Sequence, residues 1–137
     1  MSTVRAEITL KNAVDVGAVK RGYITDAQVR SLTVDALADT GAWTLVINED
    51  ICQKLGLELK GTTPGVLGDG SSVVCRITDG VEVHWKDRDT VCPALVVPGA
   101  DEVLIGALPM EGLDVMIHPR EEKIVGVHGD TVLRLVK

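Results

Sequence analysis

The sequence predicts a mainly β fold, and three features carry that expectation. The chain has no Phe, one Tyr and two Trp among 137 residues, so its core must be aliphatic. Val-rich runs recur along it, and β-branched side chains favour pleated strands over helices. Gly, Pro, Asp and Asn punctuate those runs at short intervals, as turns between strands require. The length fits one unit of about 100–200 residues, and no repeat, low-complexity tract or linker divides it. A single domain over residues 1–137 is therefore expected.

Residues 7–12 read as a first strand and residues 29–38 as a longer one, with Val29, Leu32, Val34 and Leu37 among small or polar residues. The best helix covers residues 48–55. Asn48 can cap it, Glu49 and Asp50 suit its positive end, Ile51 and Leu55 share a face, and Gly56 can stop it. Residues 61–65 (Gly-Thr-Thr-Pro-Gly) read as a loop, and residues 66–74 as a hairpin centred on Asp69-Gly70. Alternation in residues 81–85, the polar residues 86–89 and a return run at 94–97 suggest a second hairpin. Residues 103–106 form a short buried strand, and Pro109 opens a helical turn ended by Gly112. Residues 115–117 and 123–127 flank a turn at His118-Pro119-Arg120, and the tail 131–137 looks extended.

Composition narrows the function. Hydrophobic residues make up 45% and charged residues 25%, an ordinary globular balance. A net charge of −6, with no basic block longer than Lys20-Arg21, argues against a surface that tracks phosphates, so nucleic acid is not an expected partner. Cys52, Cys75 and Cys92 form no CxxC pair and suit buried thiols in a reducing compartment. No apolar stretch approaches the roughly 18 residues of a membrane span, and the first ten residues lack a signal core. A cytoplasmic protein without a membrane partner is expected. His84, His118 and His128 are scattered and read as surface or turn residues, so neither a metal nor any other cofactor is expected.

Asp39-Thr40-Gly41-Ala42 lies where the second strand runs out. A carboxylate held at a strand end by a small Gly turn suits acid/base chemistry, and it equally suits a side chain that caps its own turn. The surrounding order adds to this. Leu37-Ala38-Asp39-Thr40-Gly41-Ala42 is followed by Leu45-Val46-Ile47, the short helix, a Gly-bearing hairpin and then Leu104-Ile105-Gly106 with a helical turn behind it.

In order and spacing this resembles the retropepsin-like aspartic proteases. Residues 104–114, with Met-Glu-Gly-Leu-Asp after the Gly, look like the bacterial branch of that group. The resemblance implies a closed, mainly β, retropepsin-type barrel with one short helix and a flap hairpin. It implies that Asp39 is the catalytic carboxylate and that Thr40 buttresses the loop by bonding to a partner loop. By the same resemblance Gly41 admits the backbone close to substrate and Ala42 borders the cleft. Val66, Leu67, Gly68, Asp69, Gly70, Ser71 and Ser72 match the flap. Leu104, Ile105 and Gly106 match the segment that forms the cleft floor. Trp43 departs from the small Thr or Ser that is usual there, and Asp69 stands where larger relatives carry Tyr.

Peptide hydrolysis by this route requires one carboxylate to activate water and one carboxylic acid to polarise the scissile carbonyl. The chain carries a single Asp-Thr-Gly, because Asp79-Gly80, Asp89-Thr90 and Asp130-Thr131 each lack the third residue. The second Asp39 must come from another copy, and a two-fold homodimer supplies it. The function expected is an aspartic endopeptidase that acts on peptide or protein substrates without a covalent intermediate. The alternative is a catalytically silent homodimeric module that holds peptides in the same cleft.

Overall fold

The computed structural model describes residues 4–128. Its strands are β1 (Arg5–Asn12), β2 (Ser31–Ala38), β3 (Leu45–Ile47), β4 (Leu59–Val66), β5 (Ser72–Thr78), β6 (Val81–Trp85), β7 (Arg88–Cys92), β8 (Ala94–Val96), β9 (Val103–Ile105), β10 (Val115–His118) and β11 (Lys123–Gly126). Helices α1 (Ala13–Lys20), α2 (Glu49–Leu55) and α3 (Ala107–Leu113) lie between them. The expected tail strand at 131–137 lies outside the described residues.

Nine strands form one sheet in the order β4-β5-β8-β3-β9-β2-β1-β6-β7, and β10 and β11 form a separate pair. The mainly β expectation holds, but the closed barrel does not: among the described residues the sheet is open, with β4 and β7 at its edges. One reason lies in β4, which is exposed along most of its length and carries Pro64, a residue with no amide to donate to a further strand. It pairs only with β5 and so ends the sheet rather than closing it.

The same strand overturns the loop expected at residues 61–65, which belong to β4. Gly and Pro read as breakers, yet both are tolerated on an edge strand whose outer side needs no partner. The second hairpin also differs from expectation. Trp85 pairs with Arg88 across a turn of Lys86 and Asp87, so β7 is the return strand, while β8 lies elsewhere, between β5 and β3. The helix near Pro109 is longer than expected: it runs through Gly112, and Asp114 caps it in the left-handed conformation.

The core is aliphatic, with Ile8, Leu10, Leu45, Ile47, Val83 and Ile105 almost or wholly inaccessible. Helix α2 is built as its sequence suggests. The Asn48 side chain accepts from the Ile51 amide at 2.9 Å, and Gly56 ends the helix at φ 62. Helix α1 was not foreseen. Asn12 starts it by accepting from the Asp15 amide, and its own amide group donates to the carbonyls of Leu55 and Gly56, which links the two helices.

Asp15 in turn accepts from the Arg30 backbone amide at 3.0 Å and from the Arg30 guanidinium through two bonds of 2.9 Å. The Arg30 side-chain hydrogen bonds hold this carboxyl below its ordinary pKa, against the opposing effect of burial. A carboxylate depressed in the folded state stabilises the fold above its unfolded pKa, and that contribution is lost as pH falls through the lower folded value. The stability advantage of the wild type over Asp15→Asn should therefore be full at about pH 6 and shrink below about pH 4. Thermal melts across that range check this, and a gap that stays constant into acid would contradict it.

Candidate active site

Strand β9 lies between β3 and β2, parallel to β2 and antiparallel to β3. The segment 39–44 joins β2 to β3, so it must pass over the end of β9. Backbone bonds fix it there. The Asp39 amide donates to the Ile105 carbonyl at 2.9 Å, the Ala107 amide to the Ala42 carbonyl at 2.9 Å, and the Leu108 amide to the Trp43 carbonyl at 3.0 Å. Ile105 and Gly106 are thus held against the Asp39–Ala42 loop. Of the three residues expected to form the cleft floor, Leu104 alone lines the neighbouring cavity, and Ile105 is wholly buried beneath the loop.

Gly106 makes that approach possible. A Cβ at this position would fall inside van der Waals contact with the Thr44 carbonyl oxygen and 2.5 Å from the Ala42 carbonyl oxygen. Thr44 is fully buried, and its hydroxyl donates to the Pro93 carbonyl at 2.8 Å, so the far side of the loop cannot retreat freely.

Within the loop, Asp39 Oδ1 accepts from the Gly41 amide at 2.9 Å, and the Ala42 amide donates to the Asp39 carbonyl at 3.1 Å. The turn-capping role is therefore real. It coexists with exposure to a cavity of about 540 Å³, whose lining includes Asp39, Gly41 and Ala42. Among the described residues that line it, Asp39 is the one ionisable carboxyl, and no Lys, Arg or His shares the surface. Thr40 and Gly41 are exposed beside it.

The opposite wall is the β4–β5 hairpin, where Val66, Leu67 and Gly68 join the lining. Val66 pairs with Ser72, and the five residues between them form the tip. The Leu67 amide donates to the Ser71 carbonyl at 2.8 Å, and Asp69 Oδ1 accepts from the Ser71 amide at 2.9 Å and its hydroxyl at 2.6 Å. Those Ser71 hydrogen bonds, the side-chain one foremost, lower the Asp69 pKa. Asp69, Gly70, Ser71 and Ser72 are exposed, and they are not among the lining residues. At the other end of the hairpin, Arg76 forms an ion pair with Glu49 at the start of α2, which ties the hairpin base to the core.

Sequence reasoning missed part of the cavity wall. Leu95 and Val97 line it because β8 runs parallel to β3, and Val46 and Cys75 also contribute. The signal was present in the apolar run at 94–97, but the run had been placed beside β6. Trp43, noted only as a departure, lines the cavity with 53% of its surface exposed, in contrast to the buried Trp85. The cysteines are buried, and desolvation raises the thiol pKa of Cys52 and Cys92, which disfavours the nucleophilic thiolate.

A family model described as aspartyl protease matches residues 25–129. The chain belongs to the aspartyl protease family. No curated protein shows a significant match to it. The family match spans the Asp39 loop, the β4–β5 hairpin and β9, each of which contributes residues to the cavity lining. No helix among the described residues is long and apolar enough to cross a membrane.

Proposed function

We propose that this chain is an aspartic endopeptidase of the retropepsin-like group, of its bacterial-type branch, working as a homodimer with one Asp39 from each chain. A single retropepsin-like domain, residues 1–137, would supply each half of the site, and three free buried thiols suit a reducing cytoplasm. The observation that carries the reading is the placement of Asp39. It lies in the family-matched segment, on a loop clamped from both sides, as the one charged side chain lining the cavity.

In this mechanism two Asp39 carboxyls share one proton, because like charges in close contact do not both ionise. The ionised one takes a proton from water as its oxygen bonds to the scissile carbonyl carbon. The protonated one gives its proton to the carbonyl oxygen. The resulting diol then breaks its C–N bond, with a proton passing to the leaving amine, and no bond to the enzyme forms. The β4–β5 hairpin would act as the flap and hold an extended peptide by main-chain hydrogen bonds, as a strand adds to a sheet edge. Val66, Leu67 and Gly68 of that hairpin line the cavity, so its tip, rather than the Pro64-bearing β4 edge, would meet the peptide. The exposed Thr40 would bond across to the partner loop.

Incubation of the wild type with a diverse peptide library across a range of pH, read by mass spectrometry, tests this. Cleavage within peptides is expected, with a bell-shaped pH dependence set by the pair rather than by either carboxyl alone. Peptide retention without cleavage at any pH would replace the enzyme by a silent binding module. A rate that climbs steadily into strong alkali would contradict the shared proton.

A further inference from the structure

On the opposite side of the β1 ladder from β2, strands β6 and β7 gather three ligand-type side chains. Glu82 and His84 are two residues apart on β6 and so point to the same face. Asp89 on β7 is the direct cross-strand partner of His84. One ligand atom from each, a carboxylate oxygen or an imidazole nitrogen, lies within 4.8 Å of the others, and His84 Nε2 is 2.7 Å from Glu82 Oε1.

None of the three belongs to the lining of the Asp39 cavity. A single neutral imidazole can satisfy one carboxylate by donating its proton. Here two carboxylates converge on it, and like charges brought together on one sheet face repel unless a cation lies between them. Lys11 of β1 is paired with Glu82, and Lys11 and Lys20 of α1 line one surface hollow with Glu82 and Asp26. Among the described residues the Asp89 carboxylate has no ion pair. The side chains of His84 and Glu82 are only 30% and 13% exposed, so part of their hydration is already removed.

We propose that Glu82, His84 and Asp89 bind a divalent transition-metal ion of the zinc type. The ion would take the place of the proton between His84 and Glu82. Ligand atoms about 2.0–2.2 Å from a tetrahedral ion lie roughly 3.3–3.6 Å apart. The 2.7 Å His84–Glu82 pair would therefore open slightly as all three ligands, already within 4.8 Å of one another, adjust around the ion. One nitrogen and two carboxylate ligands favour zinc over magnesium or calcium, which prefer oxygen-only shells. Three protein ligands leave a coordination position open to water. The two-residue turn at Lys86-Asp87 holds β6 and β7 in register, so the ligands come largely positioned before the ion arrives.

The test is calorimetric titration of tag-free protein with zinc chloride, with magnesium chloride as comparison, for the wild type, His84→Ala, Glu82→Gln and Asp89→Asn. Melting in chelator first establishes that each variant is folded. The wild type should bind one zinc ion per chain at this site, with magnesium bound at least about tenfold more weakly. Each ligand variant should lose at least about tenfold in zinc affinity. Lys11→Met should keep or strengthen binding. Zinc should also raise the wild-type melting temperature saturably, as a ligand of the native state does. Zinc affinity unchanged in His84→Ala and Asp89→Asn, equal affinity for magnesium, or no binding at millimolar zinc would overturn the proposal. None of these readouts depends on peptide cleavage.

Discussion

Asp39→Asn is expected to remove peptide cleavage while leaving the fold and its melting temperature close to those of the wild type. The amide oxygen still accepts from the Gly41 amide, so the turn that Oδ1 now caps at 2.9 Å survives. What disappears is a group able to take and give a proton. A positioned acid/base residue contributes about 10²–10⁴-fold to rate, and in the proposed dimer one substitution removes both members of a symmetric pair, so the loss should reach at least the upper part of that range. Steady-state kinetics on a peptide identified from the library, beside a thermal melt, provide the measurement. A folded Asp39→Asn protein that cleaves at the wild-type rate would show that the chemistry lies elsewhere.

Gly106→Ala is the substitution expected to injure both the fold and the site. Its methyl group has only backbone against it, the carbonyls of Thr44 and Ala42, and backbone cannot rotate aside as a side chain can. Overpacking of this kind costs about 1–3 kcal/mol or more, which for a chain of this size lowers Tm by roughly 3–10 °C or more. The strain falls on the loop that carries Asp39, so activity should drop further than the loss of folded protein accounts for. Gly17→Ala is the comparison. It lies in α1, nothing stands within 4 Å of the new methyl, and the change should hold or raise Tm because Ala favours helix. If Gly106→Ala melts and cleaves as the wild type does, the close approach of β9 to the loop is not what positions Asp39.

The site was more legible in the sequence than the sheet around it. Asp-Thr-Gly-Ala and Leu-Ile-Gly are short and local, and their resemblance to a family's motifs set the second beneath the first; the close approach that requires Gly106 is seen only in the structure. The cap at Asn48 and the stop at Gly56 were legible because they too are local. Strand β7 was not, because its pattern is inverted: Arg88 points inward and Val91 outward. Arg88 Nη1 donates inside to the carbonyls of Leu113 and Asp114, both at 3.1 Å, and the guanidinium lies over the Trp85 ring. A polar residue buried by such partners defeats any reading from hydrophobic alternation. Helix α1 escaped because its apolar residues form no stripe; its signal was the Asn12 cap with Asp15 three residues on. Openness of the sheet is a property of long-range pairing, which no local pattern encodes.

The claim on which the account turns is that two chains build one site, and subunit mixing tests it most directly. Wild-type and Asp39→Asn chains are co-refolded in varied ratio at a fixed total concentration, and cleavage is measured per wild-type chain. If the site needs an Asp39 from each subunit, heterodimers are inactive and total activity follows the square of the wild-type fraction. With nine variant chains for each wild-type chain, activity per wild-type chain should fall to about one-tenth. Activity per wild-type chain that stays constant across all ratios, in samples shown by sedimentation to exchange subunits, would mean that each chain works alone and would contradict the shared site.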